Sequence, residues 1–500
     1  MRTLVPAETL VYLETNDLAA ALQPIVDAKP FMEAAKRKPD LSALKGVQLA
    51  VAVTGFETRE EKLTDEHSVG RVQPRFVAVA DTHAWNSNAV TFAEKKLGSF
   101  VANIYDSEPT VEKTDKNGGK YFTWTATDGR KAYALVIDSI IYFGNDEPAI
   151  EKCLAVKRGE TDSILKTGKV PVTDRTTLAQ GYVSTDGIAQ IAALAGLKFA
   201  SEAADESEVQ SAIAGILPKL IRNSITEISW TSINTEKGIE DKYTIGMPPD
   251  ITAVFAETMA PGDANTEGLN QLPLDSTSVT VYNLKQPQIA WRSLLLIAQK
   301  AADPVSGQVI LEFGGLFFEP YGVRSPEVFL SAVGSTLITT KFGADGEQPV
   351  VIASVTDPNK VRSSFLEGLK PDKEPFGIAN VEHWTEADGD IAAGFAGGSV
   401  LVGDNEGVTK CLDEKPNGGF RTTPNGKLFD KKNAAVMTFG IETANILRLV
   451  EMLAREQQGD IRSVSTYFTE TRFTKTGIDR RTTSDFGLIG SIIAQLNGDE

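Results

Sequence analysis

Apolar positions alternate with polar ones or run continuously, bounded by polar residues, along 9–15 (TLVYLET), 46–57 (GVQLAVAVTGFE) and 73–82 (QPRFVAVADT), which predicts three strands. Asn16 and Asp17 place side-chain oxygens ahead of LAAALQPIVDA, so a helix starts there and resumes after Pro30. The charged loop 59–72 joins the second and third strands, which favours antiparallel pairing. From His83 to Val101 the spacing turns helical, with Ala89, Phe92, Ala93, Leu97 and Phe100 on one face. Three short strands follow, YFTWTA, KAYALVI and IIYFGN. Asn117-Gly118 precedes the first of them, and Asp128-Gly129 and Asp138-Ser139 separate them, as the positive backbone angles of hairpin turns require, so this is an antiparallel meander. Asn145-Asp146 then cap a helix holding Ala149, Ile150 and Cys153. A strand at 178–184 leads into a helical region reaching about Arg222, interrupted by the acidic run 201–208. Two more strands, 225–233 and 241–247, turn at Lys237-Gly238.

The same order is then written again. Residues 124–154 and 384–412 share Trp124-Thr125 with Trp384-Thr385, Asp128-Gly129 with Asp388-Gly389, Ser139 with Ser399, Gly144 with Gly403, and Lys152-Cys153-Leu154 with Lys410-Cys411-Leu412. LPLDSTSVTVYNL (272–284) echoes the opening, with Pro273 matching Pro6 and Tyr282 near the place of Tyr12. Gln348-Pro349 echoes Gln73-Pro74, AAVMTFGIETANILRLVEML echoes the strand and helix after Thr177, and TKTGIDRRTT (474–483) echoes TEKGIEDKYT (235–244). Five matched blocks in one order imply an internal duplication, with loops absorbing the differences in length. The expected fold is α+β: two copies of a domain with an antiparallel or mixed sheet and helices packed on one face. The first copy spans 1–247, the second 272–500, and the Pro- and Gly-rich stretch 248–271, with little periodicity beyond a short turn near Ile251–Met259, reads as the linker.

At 500 residues the chain is long enough for two cores, and 41% hydrophobic with 23% charged residues describes an ordinary globular protein. The formal charge of −17 argues against nucleic acid as a partner, because phosphate binding depends on clustered Lys and Arg. No apolar run approaches the ~20 residues a membrane-spanning helix needs, the densest being around Leu294 to Ala298. The start, MRTLVPAETL, lacks the apolar core of an export signal, which implies a cytoplasmic protein unless such a segment has been removed. The two cysteines read as structural thiols at matching places in the copies.

Candidate chemistry is sparse. His67, His83 and His383 have no partner at metal-ligand spacing, and neither cysteine sits in a nucleophile signature. FGGLFFEPYG (313–322) and AGGSVLVGD (396–404) are glycine-rich, but neither has the spacing of a phosphate loop. Ser399 is followed by Leu401 where a nucleophile elbow needs glycine, and it reads as a hairpin-turn residue. Asp128 and Asp388 are accounted for by their Asp-Gly turns. The sequence therefore calls for no catalytic residue, metal or cofactor. Trp124 and Trp384, a large aromatic kept at matching places, are read mainly as core and secondarily as candidates for a binding surface.

The opening VPAETLVYLETNDLAAAL and the later YGVRSPEVFLSAVGSTLITTKFG (321–343) resemble a family of uncharacterised bacterial proteins catalogued as domain of unknown function 3352. The resemblance rests on Pro6, Glu8 and Thr9, then Gly322, Pro326, Leu330 and Gly334. It implies a periplasmic, cell-envelope setting and brings no activity with it. Three functional expectations follow: a non-catalytic envelope protein that binds a protein partner or a small ligand, an assembly subunit of a larger complex, or an enzyme whose site converges only in three dimensions.

Overall fold

In the computed structural model, the described residues are 1–62, 68–105, 107–172, 174, 176–203, 218–262, 264–302, 307–308, 310–311, 314–342, 348–372, 381–387, 389–413, 418–430, 433–442, 444–454 and 464–496. The first half contributes strands β1 (Val11–Thr15), β2 (Gln48–Lys62), β3 (Ser68–Asp81), β4 (Thr110–Lys116), β5 (Gly119–Thr125), β6 (Lys131–Ile137), β7 (Ile140–Gly144), β8 (Thr177–Val183), β9 (Glu227–Thr235) and β10 (Gly238–Gly246). They pair in the order 4-5-6-7-3-2-1-8-9-10, every ladder antiparallel.

The second half contributes β11 (Ser278–Asn283), β12 (Val333–Phe342), β13 (Gln348–Val355), β14 (Lys370–Pro371), β15 (Glu382–Thr385), β16 (Ile391–Ala396), β17 (Ser399–Asp404), β18 (Val436–Glu442), β19 (Ser465–Thr474) and β20 (Gly477–Ser484). Their order is 14-15-16-17-13-12-11-18-19-20, the first arrangement with ten added to each strand. The α+β class and the duplication stand, and the sheet is antiparallel throughout rather than mixed.

The copies join edge to edge, β10 against β20, with Lys242 opposite Arg481. These two residues occupy the same position in TEKGIEDKYT and TKTGIDRRTT, so a pseudo-twofold axis passes between them. Glycine is needed at both ends of this seam. A Cβ on Gly477 (φ 145°) would lie 1.9 Å from the Ile245 carbonyl oxygen, and one on Gly238 (φ 112°) 2.6 Å from that of Ser484.

Helices cross the seam reciprocally. Pro249–Thr258 follows β10, and its Ile251 and Phe255 share a core with Ala290 and Ile297 of helix Pro287–Ala301 in the second copy. Gly487–Gln495 follows β20, and its Ala494 joins Leu22 and Ile25 of helix Leu18–Asp27 in the first. The stretch 248–271 is therefore not a linker in the sense expected: it holds the first copy's counterpart of the C-terminal helix, and Leu269 is buried in the second copy's core. Pro249 made the segment look like a breaker, but proline in a helix's first turn leaves no bond unmade.

Helices and short turns cover both faces of the sheet at β6 and β13. On β6, Leu135 joins the cluster with Tyr142 and Cys153, while Ala134 and Val136 join the opposite one with Trp124. On β13, Ile352 and Val351 divide in the same way. Strands buried on both faces read as continuous apolar runs, as KAYALVI and IIYFG do. Strand β4 was not foreseen because TVEKTDK is almost wholly polar; it forms the sheet's outer edge, where charge discourages pairing with other chains. Ser139 lies in the β6–β7 turn, whereas Ser399 opens strand β17 and Gly397-Gly398 make the turn. Tyr12 is buried in the core below β1, but Tyr282 faces the other side of β11 from its buried neighbour Val281.

Candidate functional site

In the second copy, helix Pro287–Ala301 opens with Pro287 in its first turn and buries Ala290 and Ile297 toward the seam. Trp291 and Leu294, on another flank, lean over the sheet. The chain then makes the 3-10 helix Gly314–Tyr321 and helix Pro326–Ser331, and here the copies differ in length: residues 302–332 connect this helix to β12, whereas 28–47 suffice for the equivalent connection before β2. The longer connection brings Phe317, Phe318, Tyr321 and Leu330 opposite Trp291, and Trp291 meets Phe318 edge-to-face at 5.1 Å.

These groups roof a cavity of about 270 Å³ whose floor is Tyr282, Leu284, Leu337, Thr339 and Val351. Arg292 and Glu327, 2.6 Å apart, tie the two helices together beside it. Phe317 and Leu294 line its mouth and keep 54% and 42% of their surface exposed. Among the described residues no acidic or basic side chain lines it. Its polar side-chain groups are the hydroxyls of Tyr282, Thr339 and Tyr321 and the Trp291 indole, with Tyr282 and Thr339 diagonal neighbours on paired strands. Burial raises the pKa of Tyr282, and the neighbouring Thr339 hydroxyl partly offsets that. Burial also raises Tyr321, and the nearby Tyr282 raises it further. Both phenols are thus neutral, and the space is apolar with a small uncharged polar corner.

Other cavities are polar. One of about 180 Å³ lies between Asn265, Thr336, Ser354 and Ser399, with no histidine in its lining. Another, about 220 Å³, lies at the pseudo-dyad, where Lys242, Arg472 and Arg481 alternate with acids; Lys242 and Arg481 each stand 3.6 Å from Glu240, and Arg472 3.5 Å from Glu470. This is a ladder of ion pairs whose basic ends are half-exposed and whose acids, Glu240 and Glu470, are largely buried.

Trp124 is fully enclosed (0% exposed), stacked on Phe122 at 5.6 Å and edge-on to Phe143, so it is core and presents no binding surface. Trp384 is half-buried; its indole N–H donates to Glu382 at 2.7 Å and its ring meets Phe365 edge-to-face. The structure does not bring the two tryptophans together, because each belongs to its own copy's cluster. His83 is exposed beside Asp81, His383 is buried with Nδ1 2.7 Å from Asp372, and His67 and Asp388 lie outside the described residues. Cys153 and Cys411 are both buried as free thiols in separate cores, and burial pushes the Cys153 thiol up to about 12. Among the described residues no group of three or more potential ligands could hold a metal. Among the described residues no helix is long and apolar enough to cross a membrane.

The cavity is not legible in FGGLFFEPYG read for phosphate-loop spacing, because the glycines draw attention away from the aromatics. Its aromatic density, beside the longer connection in one copy only, was the available signal.

No family model matches the chain, and no curated protein matches it. Two solved structures are similar in part. "Structure of crystal form I of TP0453" is matched over 47% of this chain and 100% of that one, at 9% identity and a TM-score of 0.22. "Structure of crystal form III of TP0453" is matched over 45% and 97%, at 10% identity and 0.23. Likeness at that level carries no argument about function.

Proposed function

We propose that this is a non-catalytic cell-envelope protein that binds a hydrophobic small ligand in its second copy, with the first copy serving as the scaffold that holds the shared sheet. The observation that supports the reading is the cavity under Trp291 and Phe318: it is concave, lined by aromatic and aliphatic groups, and open through a mouth of exposed apolar side chains. A dry apolar cavity of ~150 Å³ accommodates benzene, so this one suits a ligand of about ten non-hydrogen atoms. The envelope setting rests on the resemblance described above. The assembly reading is weaker, because the first copy's free edge, β4, carries Glu112, Lys113, Asp115 and Lys116.

Naphthalene, which has the right size and fluoresces, tests the reading. It should bind with one site per chain, and Leu294→Trp, which fills the mouth, should weaken it at least tenfold with the circular dichroism spectrum unchanged. Equal binding by Leu294→Trp would remove the cavity from consideration.

A further inference from the structure

The cavity's polar atoms are gathered rather than scattered. Tyr282 and Thr339 are diagonal neighbours on paired strands of the floor, and Tyr321 lines the same cavity from the roof. The rest of the lining, from Leu284 and Pro287 to Leu330 and Val351, offers only carbon surface apart from the indole of Trp291. A ligand lying here meets hydrogen-bonding groups at one corner and hydrocarbon elsewhere. Those groups are hydroxyls, which both donate and accept, so they can complete a bond to an alcohol, a phenol, a ketone or an ester oxygen. They cannot neutralise a charge, and the adjacent Arg292 is already engaged by Glu327. A carboxylate or phosphate would enter without a counter-ion and lose its hydration.

Resting on the reading of this cavity as a ligand site, we infer that its ligand is a neutral, oxygen-bearing hydrophobe of about ten non-hydrogen atoms, bound with its hydroxyl or carbonyl against Tyr282, Thr339 and Tyr321. Selection is by loss as much as gain. A ligand with no oxygen leaves the hydroxyl corner without its extra partner, and an anion is excluded by desolvation.

Three probes of one ring system separate the possibilities at pH 7: naphthalene, 2-naphthol (neutral) and 2-naphthoate (anionic). The full chain should bind 2-naphthol about three- to tenfold more tightly than naphthalene, the range one net hydrogen bond supplies, and 2-naphthoate more weakly than either. Tyr282→Phe and Thr339→Val should each bring the affinity for 2-naphthol down toward that for naphthalene, with the circular dichroism spectrum unchanged. Naphthoate binding as tightly as naphthol, or a naphthol preference that survives both substitutions, would overturn the inference while naphthalene binding still upheld the cavity. Failure of naphthalene itself would instead overturn the underlying site.

Discussion

Strand β5 in the first copy and β15 in the second show how one scaffold becomes either packed core or accessible site. Each carries its tryptophan on the equivalent face, opposite Ala132 in one case and Ala393 in the other. Two residues earlier, the first copy has Phe122 and the second Glu382. Phe122 stacks on Trp124, and the helical run of Asn86–Phe92, Ala93–Leu97 and Gly98–Ile104 closes over both. Glu382 instead accepts the Trp384 N–H and two bonds from Arg362, at 2.8 and 2.5 Å. The covering helix there is only Pro358–Ser363, and the rest of that face is roofed by the long connection that encloses the cavity. The sheet is common to both copies; what differs is the cover laid over it.

The largest expected effect follows from that contrast. Trp124→Ala should lower unfolding free energy by ~3–5 kcal/mol, the range for emptying a sealed aromatic site. Trp384→Ala should cost about half as much or less, since part of its surface is already in water. Urea midpoints with unchanged slopes would measure both, and equal losses would erase the distinction between the two environments.

A smaller effect concerns acid. The double hydrogen bond from Arg362, aided by the Trp384 N–H, holds the Glu382 carboxyl below its ordinary value of 4.5. A carboxylate depressed in the folded state stabilises above the unfolded pKa, and that stabilisation is lost as pH falls through the folded one. Both partners are about one-third exposed, so solvent screening limits the contribution to ~1 kcal/mol. Wild type should therefore lose up to that much more stability than Glu382→Gln on passing below about pH 4.5. Parallel acid-unfolding curves for the two proteins would show that the Arg362 pair adds nothing.

Much of this architecture was legible in the chain. The Asp-Gly and Asn-Gly turns mark the meander, the repeated blocks reveal the duplication, and the matching of TEKGIEDKYT with TKTGIDRRTT anticipates two equivalent strands, though not that they pair with each other. Periodicity reports which face of an element is apolar and is silent about which other element covers it. For that reason neither the helix exchange across the seam nor the two-sided burial of β6 and β13 could be read. Strand β4 lacked a pattern because an exposed edge has no buried face, and helix Pro249–Thr258 showed only as a short turn near Ile251–Met259 because prolines begin it. The cavity depends on a length difference between copies, which becomes meaningful only once the equivalent strands are superposed in topology.

Xenon tests the central contrast most directly, since it enters dry apolar cavities irrespective of ligand chemistry. In a crystal pressurised with the gas, the account predicts an anomalous-scattering peak among Trp291, Phe318 and Leu330 and none among Phe122, Trp124 and Phe143. A peak beside Trp124, or an empty second copy, would contradict it.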